Sequence, residues 1–155
     1  MRPTVPPFRR RPSRRWNLLV AAAAGSYSAW SFVPVWYRAP GGTADGVALP
    51  PVSLNAWGGG PTESAALLGI VAVAWVGVRT GRELRRPGRV VAVDVALAVT
   101  ALLLTMVGIL VRPEGAVAEA GPQWGLGLGA VLAGAWTWAA VRALREAAAT
   151  NLGHP

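Results

Sequence analysis

The sequence predicts an all-α fold: a polytopic membrane protein built as a four-transmembrane-helix bundle, with both termini cytoplasmic. Three observations lead there. Of 155 residues, 53% are hydrophobic and only 14% charged, against ~25% charged in a typical soluble domain. Four apolar runs are each long enough to cross a hydrocarbon core of about 30 Å. Thirteen of the fifteen basic residues, all Arg, lie in segments that come round with every second crossing. The length suits one domain.

The first span is expected over residues 16–37, after an Arg/Pro-rich cytoplasmic tail (1–15) without fixed structure. Its Arg-rich start, apolar Leu18–Gly25 and small residues Ser26, Ser28 and Ala29 imitate a cleavable signal peptide. The apolar stretch continues through Trp30, Phe32, Val33 and Val35 to Trp36, too long for a signal core, so the span is read as retained. An outer loop (38–60) follows. It holds Leu49, Val52, Leu54 and Trp57, too apolar for a solvated linker, and is expected to fold back onto the bundle through a Gly58-Gly59-Gly60 turn.

The second span covers 61–78. Pro61 suits the first helical position, where its missing N–H costs nothing, and Glu63 sits where the helix dipole favours negative charge. A basic inner loop (79–89) leads to the third span (90–111). An outer loop (112–121) leads to the fourth span (122–141), and a cytoplasmic tail (142–155) ends the chain. A buried helix of a soluble protein shows a polar stripe every three or four residues; Val95–Val111 offers only Thr100 and Thr105.

Orientation follows the Arg count in short flanking segments. One side carries six N-terminal Arg, the loop residues Arg79, Arg82, Arg85, Arg86 and Arg89, and Arg142 and Arg145; the other keeps Arg38 and Arg112. This implies a multi-pass protein of the plasma membrane. Arg82, Arg85, Arg86 and Arg89 are expected to lie on anionic headgroups, each contributing about 1 kcal/mol. Membrane lipids are thus the first partners, and the N-terminal Arg cluster needs no nucleic acid to explain it. Trp16, Trp75 and Trp138 fall near inner span ends and Trp36, Tyr37 and Trp124 near outer ones, as interfacial aromatics do. Trp30 and Trp136 lie deeper and read as packing residues.

Small residues let membrane helices approach closely. Gly125-xxx-Gly129 and Ala130-xxx-Gly134 mark span four, Gly69, Val73 and Gly77 span two, and Ala21, Gly25 and Ala29 span one. These rows are expected to face neighbouring helices; the sharper reading is a homodimer face. Gly125, Gly127 and Ala130 also match G-x-G-x-x-A, but that pattern binds dinucleotides only after a strand at an accessible turn.

Apart from Glu63 in the first turn of the second span, Asp94 is the one charged residue inside a span, and such residues mark function by default. Steps of three and four residues link it to Ala98, Ala101, Thr105 and Gly108, so it should face the bundle. Two roles are open: an interior ion pair with Arg86, Arg89 or Arg142, or a carboxylate coupling proton or cation movement. Ser26, Tyr27, Ser28 and Ser31 are candidate polar neighbours. No second carboxylate lies beyond the first turn of a span to make a two-acid relay.

The chain has no Cys and one His, His154. It offers no nucleophile–base pair, no metal cluster and no phosphate loop, so no enzyme, metal or cofactor is expected. Through Trp36-Tyr37, Ser53-Leu54-Asn55-Ala56-Trp57 and its Arg-only, Ala/Gly/Pro-rich composition, the chain resembles small four-span membrane proteins of high-GC actinobacteria. That resemblance implies a plasma-membrane protein and carries over no catalytic residue. Two functions remain: an accessory or scaffold subunit that packs against another membrane protein, with Trp57 as the partner anchor, or a small proton- or cation-coupled transporter using Asp94. Exporters of the small multidrug type carry their acid in the first helix, where this chain has none.

Overall fold

The computed structural model describes residues 14–33, 35–57, 60–81, 87–111 and 121–152. Most of the N-terminal tail, Gly58 and Gly59, Arg82, Arg85 and Arg86, and residues 112–120 lie outside these, as does the Arg89 side chain. Four helices account for most of the described chain: α1 (Arg14–Ser31), α2 (Pro61–Gly81), α3 (Pro87–Leu110) and α4 (Trp124–Leu152). Five short strands join them: β1 (Tyr37–Ala39), β2 (Gly42–Ala44), β3 (Val47–Leu49), β4 (Val52–Leu54) and β5 (Gly121–Pro122).

The described chain is mostly helical, as expected, and the short strands are what the all-α reading did not include. The first helix ends at Ser31, not Tyr37, because Pro34 lies ahead and disfavours helical backbone before it. Its last turn closes through Phe32 N–H to the Ala29 carbonyl and Val33 N–H to that of Trp30. Pro122 belongs to β5, so α4 starts at Trp124, and it continues through the expected tail to Leu152. Pro61 opens α2 with Glu63 in its first turn, as the sequence requires.

Three segments, Pro61–Arg79, Val91–Leu110 and Trp124–Ala149, are long and apolar enough to cross a membrane. The helices form a closed square in which α1 and α3 each pack on α2 and α4. Their buried faces repeat at alternating steps of three and four. On α2 the seam is Thr62, Ala65, Gly69, Ala72, Val76 and Arg79; on α3 it is Val91, Asp94, Ala98, Ala101, Thr105 and Gly108. Leu126, Gly129, Ala133, Trp136, Ala140, Ala143 and Ala147 make the α4 seam, and Val20, Ala24, Tyr27 and Ser31 that of α1, with half-buried Asn17 one step before Val20. This is the heptad spacing of nearly parallel packed helices. Most seam positions are Ala or Gly, so backbones approach closely and dispersion replaces the hydrophobic driving force that lipid does not provide.

One end of the bundle is closed by backbone hydrogen bonding. β1 is the middle strand of a three-stranded antiparallel sheet ordered β4-β1-β5. β2 pairs with β3, and the two ladders share a register, from Tyr37 opposite Leu54 to Ala44 opposite Val47. Residues 37–54 are therefore one long hairpin, interrupted where Pro40 and Gly41 run beside Pro50 and Pro51, which lack ladder donors. Asp45 (φ 51°) and Gly46 (φ 80°) form its two-residue tip, the positive-φ pair that matches strand twist.

Candidate functional site

The polar atoms of the interior fall into two groups on the helix seams. At the end bearing the chain termini, Arg79 Nη1 donates to Asp94 Oδ2. Arg79 Nη2 donates to Asn17 Oδ1 at 2.8 Å. Asp94 is 1% exposed and Arg79 9%. The trio ties α1, α2 and α3 together in one layer. Arg79 Nε and Asp94 Oδ1 have no hydrogen-bond partner among the described residues.

Asp94 thus points into the bundle along with Ala98, Ala101, Thr105 and Gly108, all buried. Its partner among the described residues is Arg79, which is not among the expected candidates Arg86, Arg89 and Arg142; Arg86 and the Arg89 side chain lie outside the described residues. The residue assigned to the start of the inner loop lies inside α2, which runs to Gly81. One signal was available, since Arg79 falls three residues past Val76 on the same small-residue face. Arg142 instead lies on the outer face of α4, its guanidinium carbon 5.6 Å from the centre of the Trp138 ring. Arg82, Arg85 and Arg86 lie outside the described residues.

The second group sits toward the capped end. Tyr27 Oη and Thr105 Oγ1 are 2.7 Å apart, joining α1 to α3 across the square. Tyr37 Oη donates to the Gly108 carbonyl at 3.0 Å and lies 3.5 Å from Thr62 Oγ1, which donates to the Ala56 carbonyl at 3.1 Å. Burial pushes the Tyr37 phenol above its ordinary 10.0, and the Thr62 hydrogen bond offsets part of that rise. Asp94 and Thr105 are eleven residues apart on α3, about 16 Å of rise. Ala98 and Ala101, both fully buried, occupy that interval on the seam. Ser28 and Ser31 bond to α1 carbonyls (Ala24 and Ser28), and Ser26 faces outward. None of these three hydroxyls bonds to Asp94.

Trp36 organises the cap. Its N–H donates to the Leu54 carbonyl, its carbonyl accepts from Gln123 N–H, and its Nε1 donates to the Trp30 carbonyl. Trp36 and Tyr37 are buried beneath the hairpin base rather than at a lipid interface. Trp57, expected as a partner anchor, is half-buried: it stacks on the exposed Phe32 at 5.2 Å and its Nε1 donates to Ser31 Oγ at 3.2 Å.

The small-residue rows divide. A Cβ on Gly129 would come 2.6 Å from the Trp36 ring, and one on Gly125 would collide with the Val35 carbonyl, which accepts the Gly125 N–H. Gly69 is covered by Tyr27 and Ser28. A Cβ at Gly25, Gly77 or Gly134 would meet nothing within 4 Å. The Ala21–Gly25–Ala29 row is therefore not the packing face of α1; the seam through Ala24 and Tyr27 is offset from it.

Two tryptophan pairs mark the α1–α4 boundary. Trp16 meets Trp138 at 5.9 Å and Trp30 meets Trp124 at 5.6 Å. Positions 16 to 30 and 138 to 124 span the same length, so the pairs stand about 21 Å apart along antiparallel helices. Comparison with protein-family models, curated proteins and solved structures finds no match to this chain.

Proposed function

We propose that this chain is a four-span plasma-membrane protein with cytoplasmic termini that serves as an accessory subunit, engaging another membrane protein through its extracytoplasmic hairpin. The fourth crossing is α1. Its 18 residues rise about 27 Å, and its moderate apolarity has a local cause. Tyr27, Ser28 and Ser31 turn their hydroxyls inward, while Leu18, Leu19, Ala22 and Ala29 face outward. The two tryptophan pairs fit interfacial aromatic belts on either side of the bilayer. The Arg distribution sets the terminal end in the cytoplasm.

The hairpin carries the functional reading. Its base is buried through Tyr37 and half-buried Leu54, but Gly42, Thr43, Asp45, Gly46, Val47 and Ala48 of its distal half are exposed. A two-stranded hairpin with no covered face is marginal in water, so ordering this arm gains stability only when something pairs with it. Transport finds less support. The Asp94 charge is neutralised by Arg79, and fully buried alanines separate it from the next polar group on the α3 seam.

Two experiments test this. Because the chain has no Cys, Asp45→Cys and Ala149→Cys report topology: an impermeant maleimide should label the first on intact cells and the second only after permeabilisation. Replacing residues 41–50 by an Asn-Gly turn should leave the bundle folded and abolish co-purification of the partner from mild detergent. Retention of the partner by the shortened chain, or purification of the intact chain alone, refutes the docking role. Flux lost in Asp94→Asn at normal abundance would favour transport instead.

A further inference from the structure

The α1–α4 seam carries, at its terminal end, a cationic cluster that the bundle does not neutralise. Trp138, Arg142 and Arg145 follow one another at steps of four and three on the outer face of α4, and all three are exposed. Trp16 of α1 packs edge-on against Trp138, and the exposed Arg15 precedes it. The Arg142 guanidinium rests over the Trp138 ring. No ion pair to Arg15, Arg142 or Arg145 is formed among the described residues; Glu146, one position on from Arg145 and four past Arg142, is half-buried.

Depth supplies the second argument. Measured from Trp124 at the capped end, Trp138 lies about 21 Å along α4, Arg142 about 27 Å and Arg145 about 31 Å. A hydrocarbon core of about 30 Å therefore ends at this cluster. A guanidinium held at that level beside an indole meets phosphate oxygens, not bulk water and not acyl chains.

We infer that Trp16, Trp138, Arg142, Arg145 and Arg15 form a binding site for the headgroup of an anionic phospholipid on the cytoplasmic leaflet. The indoles lie on the acyl-chain side of the glycerol region and the guanidiniums hold the phosphate. The site rests on the four-span reading but not on the docking role of the hairpin.

The test is native mass spectrometry of the intact chain released from nanodiscs of dioleoyl-phosphatidylglycerol and dioleoyl-phosphatidylcholine in equal parts. The wild type should retain phosphatidylglycerol preferentially. At about 1 kcal/mol per Arg, roughly fivefold each, Arg142→Gln/Arg145→Gln should lower that preference by an order of magnitude or more. These positions are exposed, and an unchanged gel-filtration profile verifies the fold. Arg82→Gln/Arg85→Gln removes the same charge from the inner loop, whose attraction for anionic headgroups is general to the leaflet and does not hold one lipid through release, so it should lower the retained phosphatidylglycerol far less. An equal loss from the two pairs would mean diffuse surface charge and overturn the site. So would equal retention of the two lipids by the wild type. Competition by soluble glycerophosphoglycerol at millimolar concentration would reassign the pocket to free phosphate esters.

Discussion

Removing the guanidinium of Arg79 while leaving Asp94 in place exposes the logic of the polar layer. Asp94 lies seven residues past Pro87, about 10 Å along α3, whereas Arg79 is two residues, about 3 Å, from the end of α2. The long Arg stem can carry its charge back to the interface when the carboxylate is lost. The short Asp side chain, 1% exposed, has no such escape. Breaking a buried pair by deleting one partner costs about 3–5 kcal/mol, so Arg79→Met should lie near 3 kcal/mol. Asp94→Asn keeps an acceptor for Arg79, and Asn17 remains beside it; about 1–2 kcal/mol is expected. Removing both charges with Arg79→Met/Asp94→Leu should return stability to within about 1 kcal/mol of wild type, since apolar replacement of a buried pair is close to neutral. The assay is reversible unfolding by SDS titration of the purified protein in bicelles. Two results refute the reasoning: an Arg79→Met protein as stable as wild type, or a double variant whose loss equals the sum of the singles.

Other consequences are as specific. Gly129→Leu should destabilise by about 1–3 kcal/mol, the usual cost of overpacking, because the Trp36 ring is locked by its own hydrogen bonds; Gly25→Leu and Gly134→Leu should lie within about 0.5 kcal/mol of wild type in the same SDS titration. Trp57→Ala should remove the Phe32 stack and the Ser31 hydrogen bond, about 1–3 kcal/mol, and raise protease cleavage within residues 38–57 while leaving the helices protected. The neutral Tyr37 phenol is the form the fold favours. Its folded pKa lies above the unfolded 10.0, so its contribution is complete below about pH 10 and is lost as pH rises through the folded value. Alkaline unfolding should therefore be shallower in Tyr37→Phe than in wild type, and identical profiles would exclude Tyr37 as the source.

From the chain alone one reads the solvent, the helices and the inward face of α3. Apolar runs of membrane length, Pro61 with Glu63 and the spacing from Asp94 to Gly108 depend on local periodicity, which lipid and helix geometry translate directly into position. Two further features are local: Pro34, which stops α1 before Trp36, and Asp45-Gly46, a positive-φ pair that makes a hairpin tip. The remainder required the fold. Which guanidinium meets Asp94, which glycines are covered and what Trp57 touches are decided by the rotation of each helix about its axis and the register between neighbours. Those depend on all four seams packing together, which is what places Arg79 in the Asp94 layer beside Asn17. The same holds for the tryptophans: Trp36 is buried and Trp124 exposed because the hairpin base covers one and the square of helices turns the other outward, a difference no single segment contains.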